Sequence, residues 1–226
     1  MTDGEMIAWL FGLAWLLGKR GPRAPSVARW TALLVPGCLA HQIPLEFALK
    51  WIEIESGGNP CAIGDPSQRG PDGEPRELGI AQLHNPDDLR AVGVASSELR
   101  AYCVPGTSVL SRPLTLPEMS TQAVAAVGLI ANCMAAADLD LAAVGARWTG
   151  RDYWTLVKLR HGLPGLARSG LLAVARLLGR APESWREFRA ALGQVTLDRE
   201  TMRYRGRFAA ILDNAERCAS VLPQGE

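Results

Sequence analysis

The sequence predicts a mainly α fold, on three observations. Apolar residues recur at helical spacing through most of the chain, no run of alternating β-branched residues makes a convincing sheet, and prolines and glycines stand where helices should start and stop. The periodic segments are Ser26 to Leu34, Ile43 to Ser56, Pro117 to Ala136, Leu141 to Arg147, Asp152 to His161, Pro164 to Leu178, Pro182 to Leu192 and Leu197 to Val221. Pro44, Pro117, Pro164 and Pro182 suit first turns, and Gly162 and Gly193 suit ends. Between Gly57 and Leu78 the chain is rich in glycine and proline, so it reads as a groove-lining loop with room for a small hairpin. A second Pro/Gly/Ser loop spans Val104 to Pro117. A chain of 226 residues, 48% of them hydrophobic, can bury one sizeable core, which implies one main domain with extensions.

The amino terminus holds an apolar run, Met6 to Leu17, followed by Lys19, Arg20 and Arg23. It is shorter than the roughly 20 residues that span a bilayer. Asp3 and Glu5 precede it and no small-residue cleavage site follows, so no cleavable signal peptide is seen. Residues 6–17 suit an interfacial membrane contact or a buried, partner-facing helix, and the buried helix is favoured. Charge is uneven: Met1 to Val144 carries 10 Lys/Arg against 15 Asp/Glu, whereas Gly145 to Glu226 carries 14 against 8. The basic helices at the carboxy terminus, with Arg203, Tyr204, Arg205 and Arg207, could meet an anionic polymer or a protein partner; specific nucleic-acid recognition is not expected. Five widely spaced cysteines without a C-x-x-C pair indicate neither a disulfide framework nor a zinc site. Cys38 and Cys133 read as small core residues, while Cys61 and Cys103 lie in loops and could pair in an oxidising compartment.

One residue stands out. Leu45, Ala48, Leu49 and Ile52 form an apolar stripe, and its next position is Glu55, just before Gly57-Gly58 stops the helix. Partial desolvation and the negative end of the helix dipole should both raise the pKa of such a carboxylate, as a general acid requires. The bland alternative is a fraying helix end that delivers Glu55 to water. Glu53, about 200° round the helix from Glu55, belongs to a solvated face.

Downstream motifs shift the balance towards the general acid. Glu55-Ser56-Gly57-Gly58-Asn59-Pro60, then Gly79-Ile80-Ala81-Gln82-Leu83, then Asn85-Pro86-Asp87-Asp88-Leu89 leading to Gly93-Val94, resembles the lytic transglycosylase (SLT, goose-lysozyme-like) family. The resemblance runs from Leu45 to about Met134, and it implies a lysozyme-like domain at residues 31–165, between an apolar segment at 1–30 and a basic helical extension at 166–226. It implies cleavage of the β-1,4 bond between N-acetylmuramic acid and N-acetylglucosamine in peptidoglycan, with Glu55 as the one catalytic carboxylate. Glu55 would protonate the glycosidic oxygen and then act as base, while the substrate's N-acetyl group stabilises the developing charge. Ser56 and Gln82 would orient the sugar, and Gly79 would allow close backbone approach. Neither cofactor nor metal is implied.

The family's third motif, an Ala-Tyr-Asn-Ala-Gly-like stretch, is replaced here by Ala146-Arg147-Trp148-Thr149-Gly150-Arg151-Asp152-Tyr153. Trp148 or Tyr153 would then supply the aromatic contact. Asp65, Asp72, Glu74 and Glu77 lie in the long loop, and any of them acting as base for water would give a hydrolytic lysozyme instead. A different class of reading is a non-catalytic wall-binding or structural module of a virion or secretion apparatus. His84 and His161 read as surface or capping residues and His41 as structural; the three lack metal-ligand spacing. Trp30, Trp51 and Trp185 are expected in the core. The substrate lies outside the cytoplasm, so delivery in a virion or through an apparatus is expected.

Overall fold

A computed structural model describes residues 27–64 and 67–223. The apolar run at residues 6–17 and Asp65 lie outside the described residues. Regular structure is almost all helical, as the periodicity predicts, and the chain divides into two compact units, Met1–Leu129 and Ile130–Glu226. The limit expected at residue 165 instead falls inside the second unit. Residue 165 lies within the helix Pro164–Leu178, which only Leu163 separates from the helix Gly150–Gly162, and these two pack on one another.

In the first unit a 3-10 turn, Val27–Trp30, leads into α1, Thr31–Ala40, whose Leu34 and Cys38 continue the buried line begun by Trp30. Pro44 immediately precedes α2, Leu45–Ser56. Its fully buried residues are Phe47, Ala48, Trp51 and Ile52, whereas Leu45 and Leu49 are half-buried, so the inward face is turned from the stripe that the sequence suggested. At about 100° per residue, Glu55 falls between Trp51 and Ile52, near the middle of that face. Gly57 stops the helix at φ +61°, donating its N–H to Glu53 O at 3.0 Å. An L side chain rarely adopts that conformation, which is why glycine stands there.

A two-stranded antiparallel hairpin closes the long loop, β1 (Glu77–Leu78) with β2 (Leu83–His84), pairing Glu77 with His84 and Leu78 with Leu83. Two short helices follow, α3 (Asp87–Val92) and α4 (Ser96–Arg100). Then comes α5, Leu116–Val144, opened by reciprocal Thr115 and Glu118 bonds of the capping-box kind. The sequence suggested a break before Leu141; α5 instead runs unbroken through Asp138 and Asp140, and it crosses the division between the units. Among the described residues it is the one helix long and apolar enough to cross a membrane, but half of its most apolar stretch is buried in the protein, as in a core helix.

The second unit continues with α6 (Gly150–Gly162), α7 (Pro164–Leu178), α8 (Trp185–Leu192), α9 (Arg199–Met202) and, after a 3-10 turn at Arg205–Arg207, α10 (Phe208–Ala219). The single helix expected over Leu197 to Val221 is thus broken around Gly206. Ser184 caps α8 by accepting the Glu187 N–H at 3.2 Å. Trp148, Trp185 and Phe188 form an aromatic cluster with ring centroids 5.3 to 6.4 Å apart. Phe188 is fully buried there, so Phe188→Ala should cost about 3–5 kcal/mol, read as a fall in urea midpoint at unchanged slope.

Candidate functional site

Four of the residues that the sequence singled out, Glu55, Ser56, Gly79 and Gln82, lie together in the first unit. The bonds that bring them together start from α2. Trp51 Nε1 donates to Ala81 O at 3.4 Å, and Ser56 Oγ lies 2.8 Å from Ile80 O and 3.1 Å from Ile52 O. The same hydroxyl accepts the Gly58 N–H at 3.0 Å, so its proton and one lone pair serve the fold. Trp51 and Ser56 flank Glu55 along α2, four residues before it and one after. The segment Ile80-Ala81-Gln82 is therefore pinned along the last turn of the helix, on the side where the half-buried Glu55 emerges.

Two backbone features shape that segment. Gly79 has φ +76°, and a Cβ built on it would stand 2.6 Å from Gln122 Oε1, so both conformation and space demand glycine. Gln82 is not glycine yet has φ 54°, in the left-handed region. Such strain persists where surrounding contacts over-determine it and is concentrated at functional sites. Here the contacts are visible: the Gln82 side chain is buried, with Nε2 donating to Gly79 O at 3.0 Å.

The residue that ties the site together was not picked out from the sequence. Gln122, on α5 and fully buried, accepts the Ile80 N–H at 3.1 Å through Oε1. Its Nε2 donates to Pro60 O at 3.0 Å, to Tyr102 Oη at 2.5 Å and, more distantly, to Leu99 O at 3.4 Å. One carboxamide thus joins the Asn59-Pro60 turn, the Gly79–Leu83 segment and the end of α4. Further bonds fix the helix end from the other side, where Arg29 Nη2 and Trp30 Nε1 both donate to Gly58 O, at 2.9 and 3.0 Å. The Asn59 carboxamide accepts the Cys61 N–H at 3.0 Å and donates to Ser108 O at 3.0 Å. Cys61 and Cys103 are joined in a disulfide, buried with Tyr102, and the Arg100 guanidinium donates to Cys61 O at 2.9 Å and Thr107 O at 2.8 Å.

The described loop acids, Asp72, Glu74 and Glu77, are occupied in other ways. Asp72 accepts from Asn85 Nδ2 at 2.7 Å, Ser96 Oγ at 2.5 Å and the Glu74 N–H at 3.1 Å. Partial desolvation pushes its pKa up, but the Ser96 and Asn85 bonds outweigh it and hold the carboxyl below its ordinary value. Glu74 faces Arg100 Nε at 3.7 Å, and Glu77 faces His84 Nε2 at 3.6 Å. His84 itself is pinned by Asp88, with Nδ1 2.9 Å from Oδ2, rather than lying loose on the surface. Bonding to Asp88 first and Glu77 second pushes its pKa from 6.5 up to about 9.

The other two proposed site residues belong to the second unit. Trp148 is buried in the aromatic cluster, its indole N–H donated to Pro182 O at 2.8 Å, which is the packing of a core residue. Tyr153 is half-buried, edge-on to Trp154 at 5.4 Å, and burial followed by its hydrogen bond with Asp138 raises its pKa. His161 is buried rather than exposed, its Nδ1 3.2 Å from Lys158 Nζ. His41 is an exposed residue at the end of α1, and Glu53 is exposed and paired with Lys50 at 2.7 Å. Trp30, Trp51 and Trp185 are buried, as expected. Comparison with protein families, with curated proteins and with solved structures finds no match for this chain.

Two predictions follow from this geometry. Gln122→Met would leave the buried Ile80 N–H and Pro60 carbonyl without their partner, and should cost about 2–4 kcal/mol in chemical denaturation. His84 has a folded pKa above its unfolded value, so its contribution to stability is complete below about pH 6.5 and is lost as pH rises through about 9. Urea midpoints between pH 6.5 and 9.5 should therefore decline more steeply for the wild type than for His84→Asn.

Proposed function

We propose that the chain cleaves the glycan strands of peptidoglycan as a lytic transglycosylase, on a lysozyme-like arrangement in which Glu55 is the single catalytic carboxylate. The observation that carries this reading is the clamp of Trp51 and Ser56 on the Ile80–Ala81 backbone. It holds a strained, glycine-dependent segment beside a carboxylate on the inward face of a helix. A fraying helix end would need no such clamp. Glu55 donates a proton to the glycosidic oxygen between N-acetylmuramic acid and N-acetylglucosamine, then takes one back as the substrate's own hydroxyl attacks. The N-acetyl group of the sugar supplies the charge stabilisation that a second carboxylate gives elsewhere.

Among the described residues, the engaged loop acids Asp72, Glu74 and Glu77 favour this route over hydrolysis. An inverting lysozyme needs a second carboxylate free to activate water. Asp72 is used up in holding the loop, while Glu74 and Glu77 each face a cation. A buried disulfide also suits a protein that works in an oxidising space, outside the cytoplasm, where the polymer lies.

Incubating purified sacculi with wild type and with Glu55→Gln, then weighing the released muropeptides, tests the proposal. Wild type should release anhydro-ended products, and the variant should release them at least about 100-fold more slowly, the scale of a lost general acid. Reducing-end products would point to the lysozyme. A folded wild type that releases nothing would leave a wall-binding module without turnover.

A further inference from the structure

Every cysteine of the chain falls in the described residues, and their arrangement is selective. Cys38, Cys133 and Cys218 are buried single thiols, and burial pushes the Cys38 thiol up to about 11, which keeps it a protonated, unreactive core residue. The one bridge, Cys61–Cys103, stands beside the Gln122 hub. Cys61 directly follows Pro60, whose carbonyl accepts from Gln122 Nε2, and Cys103 directly follows Tyr102, whose hydroxyl accepts from the same nitrogen. Gln122 Oε1 in turn holds the Ile80 N–H, and Ile80 O receives Ser56 Oγ beside Glu55. From the sulfur atoms to Glu55 there is thus a continuous chain of covalent and hydrogen bonds.

Besides the bridge, hydrogen bonds tie the two segments: Asn59 Nδ2 donates to Ser108 O at 3.0 Å and the Ile63 N–H to Ser108 Oγ at 3.3 Å. Cys61 lies in a turn closed by the Asn59 side chain, and Cys103 lies in a turn after α4 that pairs with Leu110 through an isolated bridge and is held by the Ser111 N–H on Tyr102 O at 2.9 Å. Arg100 adds bonds from α4 to Cys61 O and Thr107 O, all of them between elements that a separated pair of sulfurs would allow to move apart. Forty-two residues separate the two cysteines in sequence, so the bridge removes a long loop's worth of freedom that local bonding must otherwise restrain.

Resting on the reading of Glu55 as the acid of a glycan-cleaving site, we infer that the Cys61–Cys103 disulfide is a redox lock on that site: formed, it sets the Gln122 hub and the Gly79–Leu83 segment against α2, and open, it releases them. Closing the lock removes two electrons and two protons from the Cys61 and Cys103 thiols. They pass to a small-molecule or protein disulfide, which leaves as two thiols, and a dithiol reductant reverses the exchange through a mixed disulfide. A chain made in a reducing cytoplasm therefore carries a loose site, and cleavage competence arrives with the oxidising space that holds the polymer.

The test uses the full chain in two forms, one purified under oxidising conditions and one purified and kept in a phosphine reductant, with thiol alkylation and mass measurement confirming the state of each. Amide exchange is read at Gly79 to Leu83, with the peptide over α7 as internal control. Protection of the Ile80 amide should fall at least about 10-fold in the reduced form while the α7 peptide is unchanged, the pattern of local rather than global opening. Equal protection of residues 79–83 in both forms overturns the lock, and so does an α7 peptide that loses protection in parallel. Release of muropeptides from sacculi should fall in step with that protection and return on reoxidation, and equally fast release by the reduced form also overturns it. Cys61→Ala/Cys103→Ala should match the reduced form and ignore reductant; a double variant that keeps wild-type protection sinks the idea. No release by either form defeats the glycan-cleaving reading alone, and the exchange result still decides whether the segment is locked.

Discussion

A single buried carboxamide sets the constraint on which the first unit depends. Gln122 offers one acceptor and two N–H donors in a place that water does not reach, and the groups around it have no obvious substitutes. Burying a backbone N–H or carbonyl without a partner costs about 1–3 kcal/mol, so the Pro60 turn, the hairpin turn at Ile80 and the end of α4 are each held to positions from which they can reach it. Such a centre is stabilising only when complete. Its demand reaches Gly79, where any side chain would strike the carboxamide oxygen, and through Gly79 the left-handed turn that carries Gln82. Glu55 gains its setting as the last link: the pinned segment passes beside it because Trp51 and Ser56 hold what Gln122 has already placed.

The sequence made the helices legible because their signals are local. Pro44, Pro164 and the αL glycine at position 57 mark ends that the structure keeps, and Glu53 and Glu55 fall on opposite sides of α2, as their spacing requires. Errors arose where tertiary packing overrode pattern. Asp138 and Asp140 look like a break in an apolar run, yet Asp140 is buried against Arg160 at 3.2 Å, so α5 carries on through them. The inward face of α2 lies part of a turn from the apolar stripe because Leu45 and Leu49 are apolar but only half-buried, whereas Phe47 and Trp51 do the packing. Trp148 could be read as a sugar platform only while its partners Trp185 and Phe188, some forty residues away, were out of view.

Of the site, the motif residues were legible and their supports were not. Glu55, Ser56, Gly79 and Gln82 stand in short ordered patterns, and the structure gathers all four. Gln122 sits near the start of α5, after Ser120 and Thr121 and before a run of alanines and valines, where a polar residue does not say whether it is buried or what lies opposite it. Arg100 and Tyr102 were invisible for the same reason, since their partners at Cys61 and Gln122 are 39 and 20 residues distant. One signal was available for Gln122: a polar side chain leading into an apolar run must be satisfied if buried.

The disulfide gives this arrangement its physical economy. Turn-rich segments have little apolar area with which to hold one another, and the Gly57–Leu78 loop, rich in glycine and proline, adds few residues to the core, Cys61, Ala62 and Leu78 among them. Hydrogen bonds alone are a poor substitute, because each is worth only about 1 kcal/mol net and they fail together once one partner leaves. Fixing Cys61 to Cys103 removes the main freedom by which Pro60 and Tyr102 could separate, so the Gln122 bonds become bonds between groups already held in place. The strained Gln82 turn then has a rigid frame to lean on, and the backbone beside Glu55 is held by the fold itself.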